Sequence, residues 1–348
     1  MKQIPDTSRT HACNNVGMTE TRVRIMTADE ILRKINDYLA TLSYDRKPKS
    51  LYDPIRYVLS MGGKRIRPTL MLLSYNLFKD DPESILSSAC ALETYHNYTL
   101  LHDDLMDKAP LRRGHQTVHE KWNANVAILS GDSMLVLAYQ RMLQCREDKM
   151  KAVLDLFTET ALEIGEGQQY DMEFETRTDV REEEYIEMIR LKTSVLLACA
   201  MKIGAILADA PQDDADNLYK FGEKIGLAFQ LQDDYLDVYG NTATFGKAIG
   251  GDILSNKKTF MLINAFNHAD VSQRKELMHW ITANDFNPKE KISAVTDLYN
   301  KIGIDKLAIE RINHYFAESR KYLELVNVPE ERKRELERYT DKMMHREK

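Results

Sequence analysis

The sequence predicts an all-α protein, a helical bundle with its site in a central cavity. Three observations carry this expectation. Apolar residues recur at helical spacing in one long window after another; the breaks are short and made of Gly, Pro, Asn or Asp; and no stretch sustains the alternation of a strand. Taken in order, Thr27 and Glu30 form a capping-box pattern that opens a helix with Ile31, Ile35, Leu39 and Leu42 on one face. A second helix is expected from about Tyr52 to Gly62-Gly63. After Lys64-Arg65-Ile66-Arg67-Pro68 comes an apolar helix through Leu70, Leu72 and Leu73. Glu83 to Asp107 reads as a long inner helix stopped by Pro110, with further helices from Val126 to Leu143 and from Met150 to Ile164. Glu182 to Asp209 reads as one long element closed by Pro211. Asp213, Asp214 and Asp216 then suit the solvated first turn of a helix running to Tyr239. Past Lys258 the helices are amphipathic, as in Val295, Leu298, Tyr299 and Ile302, and the tail from Glu330 is a charged helix.

Composition bounds the function. With 43% hydrophobic residues, 15 glycines and 9 prolines in 348 residues, a large helical core is available, and no linker composition divides the chain. Residues 26–348 are expected to form one domain. The first 25 residues are polar, lack a secretory apolar stretch, and read as a disordered extension or an upstream start. A net charge of −6 spread over interspersed acids and bases argues against nucleic acid as a partner. No segment has the apolar length of a membrane span, and Cys13, Cys90, Cys145 and Cys199 lack metal-type spacing, so a reducing cytoplasmic setting is expected.

The chemistry lies in a duplication. Asp103-Asp104-Leu105-Met106-Asp107 and Asp233-Asp234-Tyr235-Leu236-Asp237 repeat one acidic pattern inside two helical windows. On a helix, residues four apart share a face, so Asp103 stands over Asp107 and Asp233 over Asp237, while Asp104 and Asp234 point elsewhere. Like charges at that spacing repel and need a cation. Magnesium takes one or two protein carboxylates and completes its shell with water and phosphate oxygens, so two facing claws suit a clamped polyphosphate. Basic residues follow each motif: Arg112-Arg113-Gly114 after the first, then Gly246-Lys247 and Asn256-Lys257-Lys258 after the second. Upstream, Gly62-Gly63-Lys64-Arg65-Ile66-Arg67-Pro68 places cations on a glycine-opened turn where backbone N–H groups can also face an anion. Lys192-Thr193 interrupts an apolar helix, where a lysine needs an anionic partner.

On these residues the chain resembles the trans-isoprenyl diphosphate synthases, the polyprenyl synthetase family. The resemblance runs from about Met26 to the C-terminus and rests on GGKRIRP at 62–68, LLHDDLMDKAPLRRG at 100–114, KTSVL at 192–196, FQLQDDYLDVYG at 229–240, FGK at 245–247 and GGDILSNKKT at 250–259. It implies an isoprenoid synthase-type helical bundle. It also implies a short-chain trans-prenyltransferase that joins isopentenyl diphosphate to dimethylallyl, geranyl or farnesyl diphosphate, giving farnesyl or geranylgeranyl diphosphate. By the same resemblance Asp103, Asp107 and Asp233 would ligate a cluster of three magnesium ions, with Asp104 and Asp237 in support. Lys64, Arg67, His96 and Arg113 would hold isopentenyl diphosphate. Arg112, Lys192, Thr193, Gln230, Lys247 and Lys257 would hold the allylic diphosphate, with Lys192 and Lys247 beside the breaking bond.

Tyr98 and Thr99, five and four residues before Asp103, would set the floor of the product slot, with Tyr95 as an alternative block. The basic ends of some relatives suggest that Arg346 and Lys348 fold over the site, and the family implies a homodimer. Rival readings are a terpene cyclase, a longer-chain synthase on the same fold, and a non-catalytic regulatory subunit. Cyclases usually replace the second aspartate motif and need no second diphosphate site, and regulatory subunits tend to lose acidic claws. Both claws are intact here.

Overall fold

The computed structural model describes residues 25–241 and 249–344. Helix α1 (Ala28–Thr41) opens at the expected capping box: Thr27 accepts from the Glu30 N–H, and the Glu30 carboxylate accepts from the Thr27 N–H. Next come α2 (Lys49–Ser60), α3 (Ile66–Asn76) and, after a 3₁₀ turn at Pro82–Ile85, α4 (Leu86–Met106). A two-stranded hairpin, β1 (Leu111–Arg112) and β2 (His115–Gln116), precedes α5 (Val118–Lys121), α6 (Ala124–Met142) and α7 (Glu147–Thr176). Then follow α8 (Glu182–Ile189), a π turn at Arg190–Ser194, α9 (Val195–Leu207) and α10 (Gln212–Tyr239). The remaining described helices are Gly251–Leu254, Phe260–His268, Val271–Thr282, Pro288–Ile302, Ile304–Glu324 and Glu330–Met344.

Helices α3, α4, α9 and α10 make the centre. Every residue from Ser88 to Tyr95 is buried, as is every residue from Pro68 to Asn76, so these stretches are enclosed on all sides rather than along one stripe. Helix α9 packs between α3 and α10, α6 covers α4, and Ile304–Glu324 backs α10. Fully buried side chains such as Leu70, Phe157 and Ile203 each contribute about 1.5–3 kcal/mol by leaving water. The two helices carrying the acidic motifs are thus anchored in one apolar body.

Three expectations change in detail. Helix α7 continues past Gly165 and Gly167 to Thr176, because Gly167 is not a break but a point of close helix packing. The expected Glu182–Asp209 element is interrupted by the π turn. Asp214 is buried rather than solvated, since its Oδ1 accepts the Asn327 N–H at 2.9 Å, although Asp216 pairs outside with Lys202. The hairpin pairs Leu111 with Gln116 and Arg112 with His115, and both turn residues, Arg113 and Gly114, take positive φ, as a two-residue hairpin turn requires.

Candidate active site

The first motif closes α4. Asp103 and Asp104 occupy its last turn, and Asp107 is the C-cap residue, its N–H donating to the Asp103 carbonyl at 2.9 Å. Asp104 turns inward: 5% exposed, it accepts Arg112 Nε at 2.6 Å. Asp103 faces the cleft, with Lys192 Nζ at 3.1 Å and Arg112 Nη2 at 3.7 Å. Burial, then the neighbouring Asp103 charge, pushes the Asp107 carboxyl above its usual range, with Lys192 and Lys257 opposing.

The second motif lies in the last turns of α10. Asp234 again turns inward, accepting from the Tyr185 hydroxyl and from Gln230 Nε2 at 3.2 Å. Burial and the Asp252 charge push its carboxyl up to about 7. The Gln230 side chain also accepts from Thr193 at 3.2 Å, so one polar chain links Thr193, Gln230, Asp234 and Tyr185. Asp237 uses Oδ2 to accept the Asp252 N–H at 2.9 Å, tying the following loop to the motif.

Lys192 reaches the cleft because the π turn widens the helix under it. Two glycines let neighbouring helices press on that turn. A Cβ on Gly167 of α7 would collide with the Lys192 backbone, and one on Gly226 of α10 would sit 2.6 Å from Ser194. Lys192 Nζ then bridges Asp103 and Asp171 of α7, at 3.1 Å and 2.6 Å. Lys257 approaches Asp171 at 3.8 Å from the other side. Burial works against the Asp171 charge, but Lys257 and Lys192 outweigh it and hold the carboxyl below its usual range. Burial likewise opposes the Lys257 charge, and Asp171, Asp252, Asp234 and Asp103 together raise its pKa. One lysine therefore feels both acidic motifs.

A second, cationic pole lies across α3 and α4. The Gly62-Gly63 turn has φ of 76° and 145°, and the Arg113 guanidinium lies so close to Gly63 that a Cβ there would stand 3.0 Å from its nitrogens. Of the three cations on this turn, Arg65 points inward: its Nη1 meets buried Glu93 at 2.6 Å and its Nη2 the Leu59 carbonyl at 3.2 Å. Breaking such a pair costs about 3–5 kcal/mol, so Arg65 is a strut for Lys64 and Arg67. Arg67 Nη1 lies 3.1 Å from His96 Nε2. Burial, reinforced by Arg67, Arg113, Arg112 and Arg65, pushes His96 well below its usual pKa, so the ring is neutral. A guanidinium only donates, which makes Nε2 the acceptor and leaves the ring proton on Nδ1. Burial, then Arg113, lowers Arg67 to about 10 against the pull of Glu93. Glu93 pairs with Arg65, which leaves the Arg67 Nε as a buried donor with no acceptor among the described residues.

The turns of α4 before Asp103 carry an aromatic cluster. The Tyr98 ring packs at 4.9 Å on His102 and 5.5 Å on Tyr95, and Tyr95 continues to Phe157 at 5.2 Å. Tyr98 is half-buried and Tyr95 buried, its hydroxyl donating to the Ala161 carbonyl at 3.3 Å; the Thr99 hydroxyl donates to the His96 carbonyl at 2.8 Å. Lys247, Arg346, Lys348 and the first 24 residues lie outside the described residues. The sequence reading gave no role to Asp171, Tyr185 or Asp252. Asp252 stands within the quoted GGDILSNKKT motif, and Asp171 left a trace in the paired glycines Gly165 and Gly167 of its helix, since glycine inside a helix is costly without a packing reason.

Among the described residues no metal cage of grouped His, Cys, Asp or Glu side chains is preassembled. The donor chemistry nonetheless fits magnesium, which takes hard oxygens one or two at a time: Asp103 crowds Asp107 with like charge, and Asp233 lies in the opposing motif. The profile of the polyprenyl synthetase family matches residues 48–299. A short chain isoprenyl diphosphate synthase of Methanocaldococcus jannaschii is 40% identical over 266 residues, covering 76% of this chain and 80% of that protein. A geranylgeranyl diphosphate synthase of Sulfolobus acidocaldarius is 35% identical over 282 residues, covering 80% and 84%. A crystal structure of a geranylgeranyl pyrophosphate synthase superposes with a TM-score of 0.88 at 39% identity, over 93% of this chain and all of that one.

Proposed function

This chain belongs to the polyprenyl synthetase family, and we propose that it is a short-chain trans-prenyltransferase extending an allylic diphosphate with isopentenyl diphosphate. The observation that carries the reading is the pairing of two unlike poles, one acid-rich and bridged by lysines, one cationic, where the buried Arg67 Nε meets no acceptor among the described residues. In this reading the allylic diphosphate lies against Arg112, Lys192, Thr193, Gln230, Lys247 and Lys257. Isopentenyl diphosphate lies against Lys64, Arg67, His96 and Arg113, with the His96 Nδ1–H and the free Arg67 Nε donating to it.

Asp103, Asp107 and Asp233 would hold magnesium, with Asp104 and Asp237 in support through Arg112 and the Asp252 loop. When bound, magnesium supplies positive charge to the departing diphosphate. Lys192 and Lys257 add fixed positive charge at the same place, where negative charge grows as the allylic C–O bond breaks. The C=C of isopentenyl diphosphate then attacks the allylic cation to form the new C–C bond. The departed diphosphate accepts the proton lost from the adduct. Apolar walls around Tyr98 and Tyr95 keep water from quenching the cation.

The half-buried Tyr98 ring, backed by Tyr95 and Phe157, favours a fifteen- or twenty-carbon product. Residues 26–348 act as one domain, in the cytoplasm; no described helix is long and apolar enough to cross a membrane. Leu129 and Val136 on α6 and Leu143 at its C-cap, seven apart and exposed, offer an apolar stripe that a second copy of the chain would cover, giving a homodimer. If the basic end with Arg346 and Lys348 pairs with substrate phosphate, deleting the last three residues should raise the KM for isopentenyl diphosphate, whereas an unchanged KM would make it a solvated tail. Incubation with Mg²⁺, isopentenyl diphosphate and dimethylallyl, geranyl or farnesyl diphosphate tests the function. Linear chain extension is expected; a cyclic hydrocarbon would point to a cyclase, and unchanged substrates to a non-catalytic subunit.

A further inference from the structure

The loop that delivers Lys257 to the cleft is held from behind by a helix that carries none of the site residues. Its start is fixed to the second motif: besides the Asp252–Asp237 bond, the Gly250 N–H donates to the Asp237 carbonyl at 2.7 Å. Gly250, at φ 83°, lies flush on Ile292 of the helix Pro288–Ile302, where a Cβ would stand 2.6 Å from the Ile292 side chain. The preceding residue on that helix, Lys291, holds the loop's far end. Lys291 is 1% exposed, and its Nζ donates to Asn256 Oδ1 at 2.7 Å and approaches the Leu254 carbonyl at 3.5 Å.

Among the described residues no carboxylate forms an ion pair with Lys291. Burying an ammonium without a counter-charge is costly. What it meets instead is the Leu254 carbonyl at the end of the turn Gly251–Leu254, together with the Asn256 amide and the face of Phe286 at 4.3 Å. Asn256 is held in the left-handed conformation, φ 54°, and its Nδ2 donates to the Ile281 carbonyl at 3.2 Å. Lys257 is the next residue. Its N–H donates to the Asp252 carbonyl at 3.0 Å, and its ammonium turns back to Asp171.

We propose that Lys291 is a positioning residue for Lys257: by gripping Asn256 and the end of the preceding turn, it fixes where the Lys257 ammonium enters the cleft. The inference rests on the reading that Lys257 holds the allylic diphosphate. A lysine that merely filled space in the core would affect stability alone, whereas a positioning lysine affects one substrate and acts only through Lys257.

The test is steady-state kinetics of the full chain with Mg²⁺ for Lys257→Ala, Lys291→Met and the double variant. Asn256→Gly is added because it preserves the left-handed backbone while removing the acceptor, and so needs no buried charge to be replaced. Lys257→Ala should raise the allylic KM about tenfold. Lys291→Met and Asn256→Gly should each raise it about three- to tenfold, with the KM for isopentenyl diphosphate unchanged. Adding Lys291→Met to Lys257→Ala should change nothing further. If Lys257→Ala raises the allylic KM while Lys291→Met and Asn256→Gly shift only the melting temperature, the positioning role is wrong and the Lys257 assignment stands. Equal rises in both KM values, or full additivity in the double variant, would also overturn it. An unchanged allylic KM in Lys257→Ala would remove the Lys257 assignment and this inference with it.

Discussion

The two acidic motifs share a pattern but not a setting. On α4 the middle aspartate, Asp104, meets a full positive charge on Arg112; on α10 its counterpart, Asp234, meets only the Tyr185 hydroxyl and the Gln230 amide. The last aspartates differ too, since Asp107 caps its helix and is more open to solvent than Asp237, which is 8% exposed and bonded to the loop that follows. The first motif is open and charge-balanced, and the second is built into the scaffold. Under the proposed function Asp103 and Asp233 share one task, and the two motifs support it differently.

The largest effects should come from the shared task. Asp103→Ala and Asp233→Ala are each expected to lower kcat about a thousandfold or more while circular dichroism stays unchanged. Normal turnover in either variant would remove that residue from the charge-stabilising set and break the symmetry between motifs. Asp171→Asn should come next, with about a hundredfold loss, because this carboxylate holds both Lys192 and Lys257 between the two motifs. A loss no larger than that of an exposed control such as Asp155→Asn would show that the motifs are not joined through α7.

Tyr98→Ala should leave the rate within about a few-fold and lengthen the product by one isoprene unit, read by mass spectrometry of the product alcohols. On α10 the position five before Asp233 is Ala228, small and fully buried, so the proposed floor has no aromatic counterpart there. An unaltered product would move that floor to Tyr95.

The smallest effect concerns pH. A carboxyl raised in the folded state binds a proton that the unfolded chain has released, so stability falls as pH rises from about 4 to the folded value of about 7. Asp234→Asn should flatten that slope in metal-free thermal melts and leave the first motif's behaviour untouched. An unchanged slope would mean that Asp234 is charged throughout.

Much of this was legible in the residues. The capping box at Thr27, the long inner helix ending at Asp107, both claws and the glycine-opened turn at Gly62-Gly63 follow from local pattern, because helix faces and backbone turns are set by neighbours in sequence. What was not legible depends on contacts between distant elements. Asp171 stands in a polar run that reads as a solvated face until α7 packs on the π turn. Tyr185 looks like any core aromatic, and Arg65 looks like a third phosphate-binding cation until Glu93 turns it inward. Lys291 sits in an ordinary amphipathic helix, and nothing local distinguishes it from a solvated lysine. The π turn itself is set by tertiary packing against Gly167 and Gly226.

The most direct test is calorimetric binding of a non-hydrolysable thiolo analogue of the allylic diphosphate, with and without Mg²⁺, to the wild type, Asp103→Ala, Asp233→Ala and the double variant. Tight binding that requires Mg²⁺, is weakened at least tenfold by either substitution, and is weakened little further by the second is the expected result. Equal affinity without Mg²⁺, or an analogue that still binds the Asp233→Ala variant as it binds the wild type, would contradict a single leaving group held between both acidic motifs.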